Sequence, residues 1–214
     1  MTLCIKISTI SIVVRNGNCL FSDKAGGGIT ISTENRTCQA LAPAKINLGL
    51  DVLRKREDGY HDLRMIMQSI SVYDRLTFTW SEHPGVTGTC SREGLPMDEH
   101  NLVIRAARLL QEEFRIPGGL RIHLDKQIPM AAGLAGGSSD AAATLISLNK
   151  LWSLGLTRTE LMQRGVRLGA DIPFCIMGGT ALAEGIGDRL TALPPAPESF
   201  VLLAKPPLEV STAF

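Results

Sequence analysis

Charge imbalance is almost missing from this chain. Its 214 residues carry 22 Lys and Arg against 21 Asp and Glu, a formal net charge of +1. Such a chain has no general pull toward nucleic acid or an anionic membrane surface, so any anionic ligand must be held by local groups. Aromatics are scarce too, at 5%, and too scattered for a platform that stacks single-stranded bases. Neither nucleic acid nor a membrane is expected as a partner. No apolar run is long enough to span a bilayer. The five cysteines (Cys4, Cys19, Cys38, Cys90, Cys175) form no CxxC and no Cys/His cluster of zinc-ligand spacing. Their odd number and irregular spacing argue against a disulfide framework and fit a reducing cytoplasm.

What is present is unevenly distributed. Residues 1–38 contain the flexible Ala25-Gly26-Gly27-Gly28 stretch and read as an extension of unknown role. One strand or hairpin is expected near residues 5–14, whose alternation is a strand pattern, not the apolar run of a signal segment. From Leu41 onward the sequence becomes dense in structural signals. Strands are expected at 47–53, 76–80, 120–124, 179–183 and 200–204. Asn101 can cap a helix running to about Arg115. A second helix should start at Ser138 or Ser139 and continue to about Trp152. Thr157 to Glu160 is a capping-box pattern opening a third helix through Leu168, with Gly169 as its stop. The alternation of strands and helices predicts a two-layer α+β domain.

The strongest chemical signal is Pro129-Met130-Ala131-Ala132-Gly133-Leu134-Ala135-Gly136-Gly137-Ser138-Ser139, between a predicted strand and a predicted helix. Glycines let successive backbone N–H groups turn inward and leave room for phosphate. The helix beyond offers free N–H groups and the positive end of its dipole. Ser138 and Ser139 can cap the helix or donate to phosphate oxygens. The segment is not a Walker A loop, because no GKS or GKT follows. Its spacing is not that of a dinucleotide fingerprint either.

Two further segments share this order along the chain. One is Ala42-Pro43-Ala44-Lys45-Ile46-Asn47-Leu48-Gly49-Leu50, followed by Asp58-Gly59-Tyr60-His61-Asp62-Leu63 and Met67-Gln68. The other is Leu168-Gly169-Ala170-Asp171-Ile172-Pro173-Phe174, followed by Gly178-Gly179-Thr180-Ala181. With the glycine loop, the set resembles the GHMP kinase superfamily from about Gln39 to the C-terminus. The resemblance implies a ribosomal-protein-S5-like N-terminal domain over residues 39–195 and the start of a ferredoxin-like C-terminal domain at 196–214. The remainder of that second domain is not in the sequence, so the chain is expected to be a shortened one.

The same resemblance implies ATP as phosphoryl donor, with magnesium, and the tertiary 2-hydroxyl of CDP-methylerythritol as acceptor. It leaves two alternatives: another alcohol as acceptor, or an inactive nucleotide-binding module. Asp171 is the candidate general base, since a carboxylate can take the proton of the attacking hydroxyl. Lys45, in a small apolar stretch, can keep that carboxylate ionised or stabilise transferring charge. Asn47, two residues on, either hydrogen-bonds the substrate or holds the lysine. The resemblance assigns Tyr60 and His61 to the cytosine end of the substrate. Gly185 lies in a Gly-Ile-Gly-Asp turn that is either a plain hairpin or a further substrate contact. No residue is assigned to the metal.

Overall fold

The computed structural model describes residues 12–15, 29–32, 37–57, 59 and 61–205. Its centre is a long antiparallel pair, β3 (Thr37–Lys55) and β4 (His61–Ser81). Around it a seven-stranded sheet runs in the order β2-β3-β4-β6-β5, with β7 and β8 attached through the other half of β4. Here β2 is Ile29–Ser32, β5 Gly85–Cys90, β6 Gly119–Asp125, β7 Thr180–Gly185 and β8 Arg189–Ala192. β4 serves two neighbours because it is long. Residues 63–68 pair with β7, and residues 75–81 pair with β6. A separate two-stranded ribbon joins β1 (Ile12–Arg15) to β9 (Phe200–Leu203).

The helices form the second layer. α1 (Leu102–Glu113) starts at Asn101, whose side chain accepts from the Val103 amide as expected of a cap. α2 (Gly136–Leu151) is the hub. Residues 139 to 148 are all buried, and it packs on β3, β4, α1 and two further helices. Those are α3 (Arg158–Val166), opened by the predicted Thr157/Glu160 capping box, and α4 (Ile172–Met177). The core lies between the layers, around Phe78, Leu110, Leu120, Leu145 and Phe174. A smaller cluster of Ala44, Ile70, Val72, Ile128 and Leu134 sits under the two ends of the glycine loop.

Three expectations need correction. α2 starts at Gly136, two residues before Ser138, because Ala135 takes the left-handed conformation (φ 53°) and turns the chain directly into the helix. Neither serine is therefore its N-cap. α3 ends at Val166, short of Leu168. α4 was not foreseen; Pro173 falls in its first turn, where a missing N–H costs nothing. The two-layer α+β class stands. Of the 5–14 expectation, residues 12–15 are strand; residues 5–11 lie outside the described residues, as do 206–214.

Candidate active site

The site begins with an irregularity in β3. The ladder to β4 shifts register between Pro43 and Lys45. Proline has no N–H for a ladder, so the strand is free to depart there. Its freed groups turn toward the glycine loop and α2. The Pro43 carbonyl accepts from Ser139 Oγ at 2.6 Å, and the Lys45 amide donates to the Leu134 carbonyl at 3.1 Å. The strand is thereby fastened to both ends of the loop–helix junction. The Lys45 side chain is buried, and its Nζ donates to Asn47 Oδ1 at 3.3 Å.

Lys45 Nζ also lies 3.7 Å from Asp171 Oδ2. Asp171 occupies the N-cap position of α4 but makes no capping hydrogen bond. Its carboxylate, about one-third exposed, is left facing Lys45 and the open space beside it. Nearby Cys175 is no rival nucleophile: burial drives its thiol far above the ordinary range, and the Asp171 charge pushes it further.

The glycine loop supplies the facing wall. Ala131 (φ 51°), Gly133 (φ 70°) and Ala135 (φ 53°) take left-handed conformations at alternate positions. Alternation of right- and left-handed residues turns successive amides toward one side and makes an anion-binding concavity. It runs straight into the head of α2, whose first amides have no intrahelical acceptor. A cavity of about 630 Å³ opens above it, lined by every residue from 129 to 138 together with Lys45, Asn47 and Asp171. These are the sequence-predicted loop residues Pro129 through Ser138, the two proposed catalytic residues and Asn47, brought into one place.

Ser139 is the exception in the loop. It is buried, its amide is spent on Ala135 O and its hydroxyl on Pro43 O. It is a structural pin between helix and strand, and it does not line the cavity. His61 and Gly185 also lie outside the lining. His61 is exposed at the start of β4, opposite Lys55. Gly185 ends β7 opposite Leu63, and the following turn is closed by Asp188 Oδ1 accepting from the Ile186 amide. Tyr60 lies outside the described residues.

Sequence reading missed part of the cavity. Leu95, His100, Asn101, Leu102 and Leu124 form another part of the wall. Asn101 was visible only as a helix cap, which it also is. The larger omission is Lys126, whose side chain is 4% exposed beneath the loop and contacts two buried carboxyls, Asp74 and Asp140. Burial pulls the Lys126 ammonium down, yet Asp140 and Asp74 together hold it above its ordinary value. Burial drives the Asp140 carboxyl well above the usual range; Lys126 opposes this, and Asp74 adds to it. A lysine beside Asp125 reads in sequence as a solvated charge, so nothing local marks it.

A strand-anchored lysine and an aspartate thus stand beside a glycine loop at a helix head, on a two-layer α+β frame. Residues 101–179 match the family of GHMP kinases N terminal domain. Among curated proteins, the chain is similar over most of its length to kinases of one name. The chain is 53% identical over 173 residues to 4-diphosphocytidyl-2-C-methyl-D-erythritol kinase of Lachnoclostridium phytofermentans, covering 81% of this chain and 60% of that protein. It is 52% identical over 171 residues to the protein of the same name from Brevibacillus brevis, covering 80% and 59%. A crystal structure of 4-(cytidine 5'-diphospho)-2C-methyl-D-erythritol kinase superposes with a TM-score of 0.63 at 42% identity, over 72% of this chain and 55% of that one. Homoserine kinase from Cytophaga hutchinsonii, at 21% identity and a TM-score of 0.58 over 77% and 54%, shares the fold. The chain thus spans about 60% of the length of the curated relatives it matches.

Proposed function

We propose that this chain is the ATP- and alcohol-binding part of a kinase that phosphorylates the 2-hydroxyl of 4-diphosphocytidyl-2-C-methyl-D-erythritol in the non-mevalonate isoprenoid pathway. The observation that carries this reading is the 3.7 Å Lys45–Asp171 pair at the cavity lined by the glycine loop. Phosphoryl transfer asks little covalent chemistry of a protein; it asks for position and charge. The loop amides and the α2 head hold the phosphates. Asp171 accepts the hydroxyl proton, and Lys45 steadies charge on the moving phosphoryl group. Asn47 orients Lys45, which supports the second of its two sequence readings. Magnesium, when bound with ATP, would neutralise phosphate charge. Tyr60 and His61 are, on this reading, contacts to the cytosine end of the substrate, and Gly185, at the end of β7, is a further substrate contact.

The division into an extension (1–38), this domain (39–195) and the start of a second domain (196–214) is part of the same proposal, as is a cytoplasmic location. No helix among the described residues is long and apolar enough to cross a membrane.

The test is ADP release coupled to a reporter, on this chain and on a version extended to the relatives' length, with the CDP-linked substrate, mevalonate and homoserine as acceptors. The CDP substrate should be used in preference. Asp171→Asn should cut turnover by about a hundredfold or more, because the amide cannot accept the proton. Full turnover by that variant would remove Asp171 as the base. Preference for mevalonate or homoserine would redirect the substrate assignment.

A further inference from the structure

Beneath the glycine loop lies a group of three buried ionisable side chains that the reaction as described does not use. Lys126 Nζ contacts Asp74 Oδ2 on one side and Asp140 Oδ2, at 2.9 Å, on the other. Asp74 is fully satisfied, because its second oxygen accepts from the amides of Gln127 (2.6 Å) and Ile128 (2.8 Å). Asp140 is not: its Oδ1 is buried without a partner. Lys126 and Asp140 both line the cavity. Directly above them is Gly136, where a Cβ would stand 2.7 Å from Lys126 Nζ and 3.2 Å from Ile128 Cγ2. The first turn of α2 thus rests on the lysine.

Resting on the nucleotide reading above, we propose that Lys126, clamped between Asp74 and Asp140, is a positioning residue that sets the height and charge of the phosphate-binding turn. Three bonds tie the segment from Lys126 to Ile128 to Asp74 of β4, and one ties it to α2. The loop between 129 and 135 therefore has both ends fixed before any ligand arrives, which lowers the cost of ordering it around a phosphate.

The charge follows from the same geometry. Two carboxyls share one ammonium. If both are ionised, the group carries a net negative charge under the place where phosphate sits. If one holds a proton, that proton belongs on Asp140 Oδ1, the one oxygen lacking a donor. The upward shift of the Asp140 carboxyl by burial is in keeping with that assignment. Other ionisable groups facing the cavity are Lys45 of β3, Asp171 ahead of α4 and His100 ahead of α1, with Cys175 buried in α4. On α3, Glu160 is engaged by Thr157 and Arg164 by Glu113. Asp140 is thus the carboxyl nearest the α2 head whose ionisation no second donor compensates. A phosphate should bind best while Asp140 is neutral, and less well as rising pH ionises it.

The experiment measures ATP affinity by calorimetry at pH 6 and pH 9, and amide hydrogen exchange across residues 133–138 without ligand. It uses this chain and its Lys126→Met and Asp140→Asn variants. ATP's own ionisation is common to all and cancels in ratios. Lys126→Met should speed exchange of the loop amides and weaken ATP about tenfold, as for loss of a charged hydrogen-bonded group. Asp140→Asn should bind like the parent at pH 6 and severalfold tighter at pH 9, about the effect of one nearby charge. A folded Lys126→Met protein with parental loop exchange would overturn the proposal. Should that variant not fold, Asp140→Asn decides: an affinity ratio that does not change with pH overturns it. If the parent itself fails to bind ATP while Lys126→Met still loosens the loop, positioning stands and the nucleotide reading falls.

Discussion

The residues that make this site are held in unusual conformations for identifiable reasons. Ala131 and Ala135 adopt left-handed backbone angles without being glycine, which costs about 1 kcal/mol each through crowding of Cβ. Ala135→Gly should relieve that crowding and raise stability by up to about 1 kcal/mol, less the entropy glycine loses on folding. Urea unfolding with unchanged slope would measure it, and a drop in midpoint would show that the Ala135 methyl packs usefully. The same position explains a misreading from sequence. Two serines after two glycines look like a cap following a loop. With Ala135 turning the chain instead, the glycines are already helix, and Ser139 is free to reach Pro43. Lys126 was illegible for another reason: its partners Asp74 and Asp140 are 52 and 14 positions away, and burial of a lysine is decided by such distant pairing.

At the scale of elements, local signals were read well and non-local ones poorly. Asn101 and the Thr157 capping box act through bonds spanning two or three residues, so the sequence carries them whole. β5 was missed because Gly85–Cys90 is short and poor in large apolar residues, and its strand character comes from parallel pairing with β6. α4 was missed because its helix depends on packing against α2 and α3. That packing is tight enough to test. At Gly165 of α3 a Cβ would stand 2.7 Å from Ile172 Cγ2, a branch that cannot swing away freely. Gly165→Ala should therefore destabilise by about 1–3 kcal/mol, although alanine is the better helix former. Thermal unfolding would show it, and a neutral result would mean that α3 and α4 can slide apart. On the proposed kinase reading, α4 carries the base Asp171 at its head, so turnover should fall together with stability.

For the molecule as a whole, the buried Asp140 carboxyl links stability to pH. Its folded-state proton affinity exceeds that of an ordinary carboxyl, so between the ordinary value and the raised one the folded protein holds more protons than the unfolded chain. The stabilisation this group confers is complete below the ordinary carboxylate range and fades as pH climbs through the raised value. Asp140→Asn removes that dependence. The difference in melting temperature, variant minus parent, should accordingly grow from pH 5 to pH 8 in the variant's favour. A difference that shrinks over that span would place the proton elsewhere.

The Lys45 amide donates to the Leu134 carbonyl, so the strand that carries the proposed catalytic cation and the last part of the glycine loop share a backbone bond. On the kinase reading proposed above, a loop that opens to release a spent nucleotide would have to break that bond, so unloading should be felt in the strand that seats Lys45 beside Asp171.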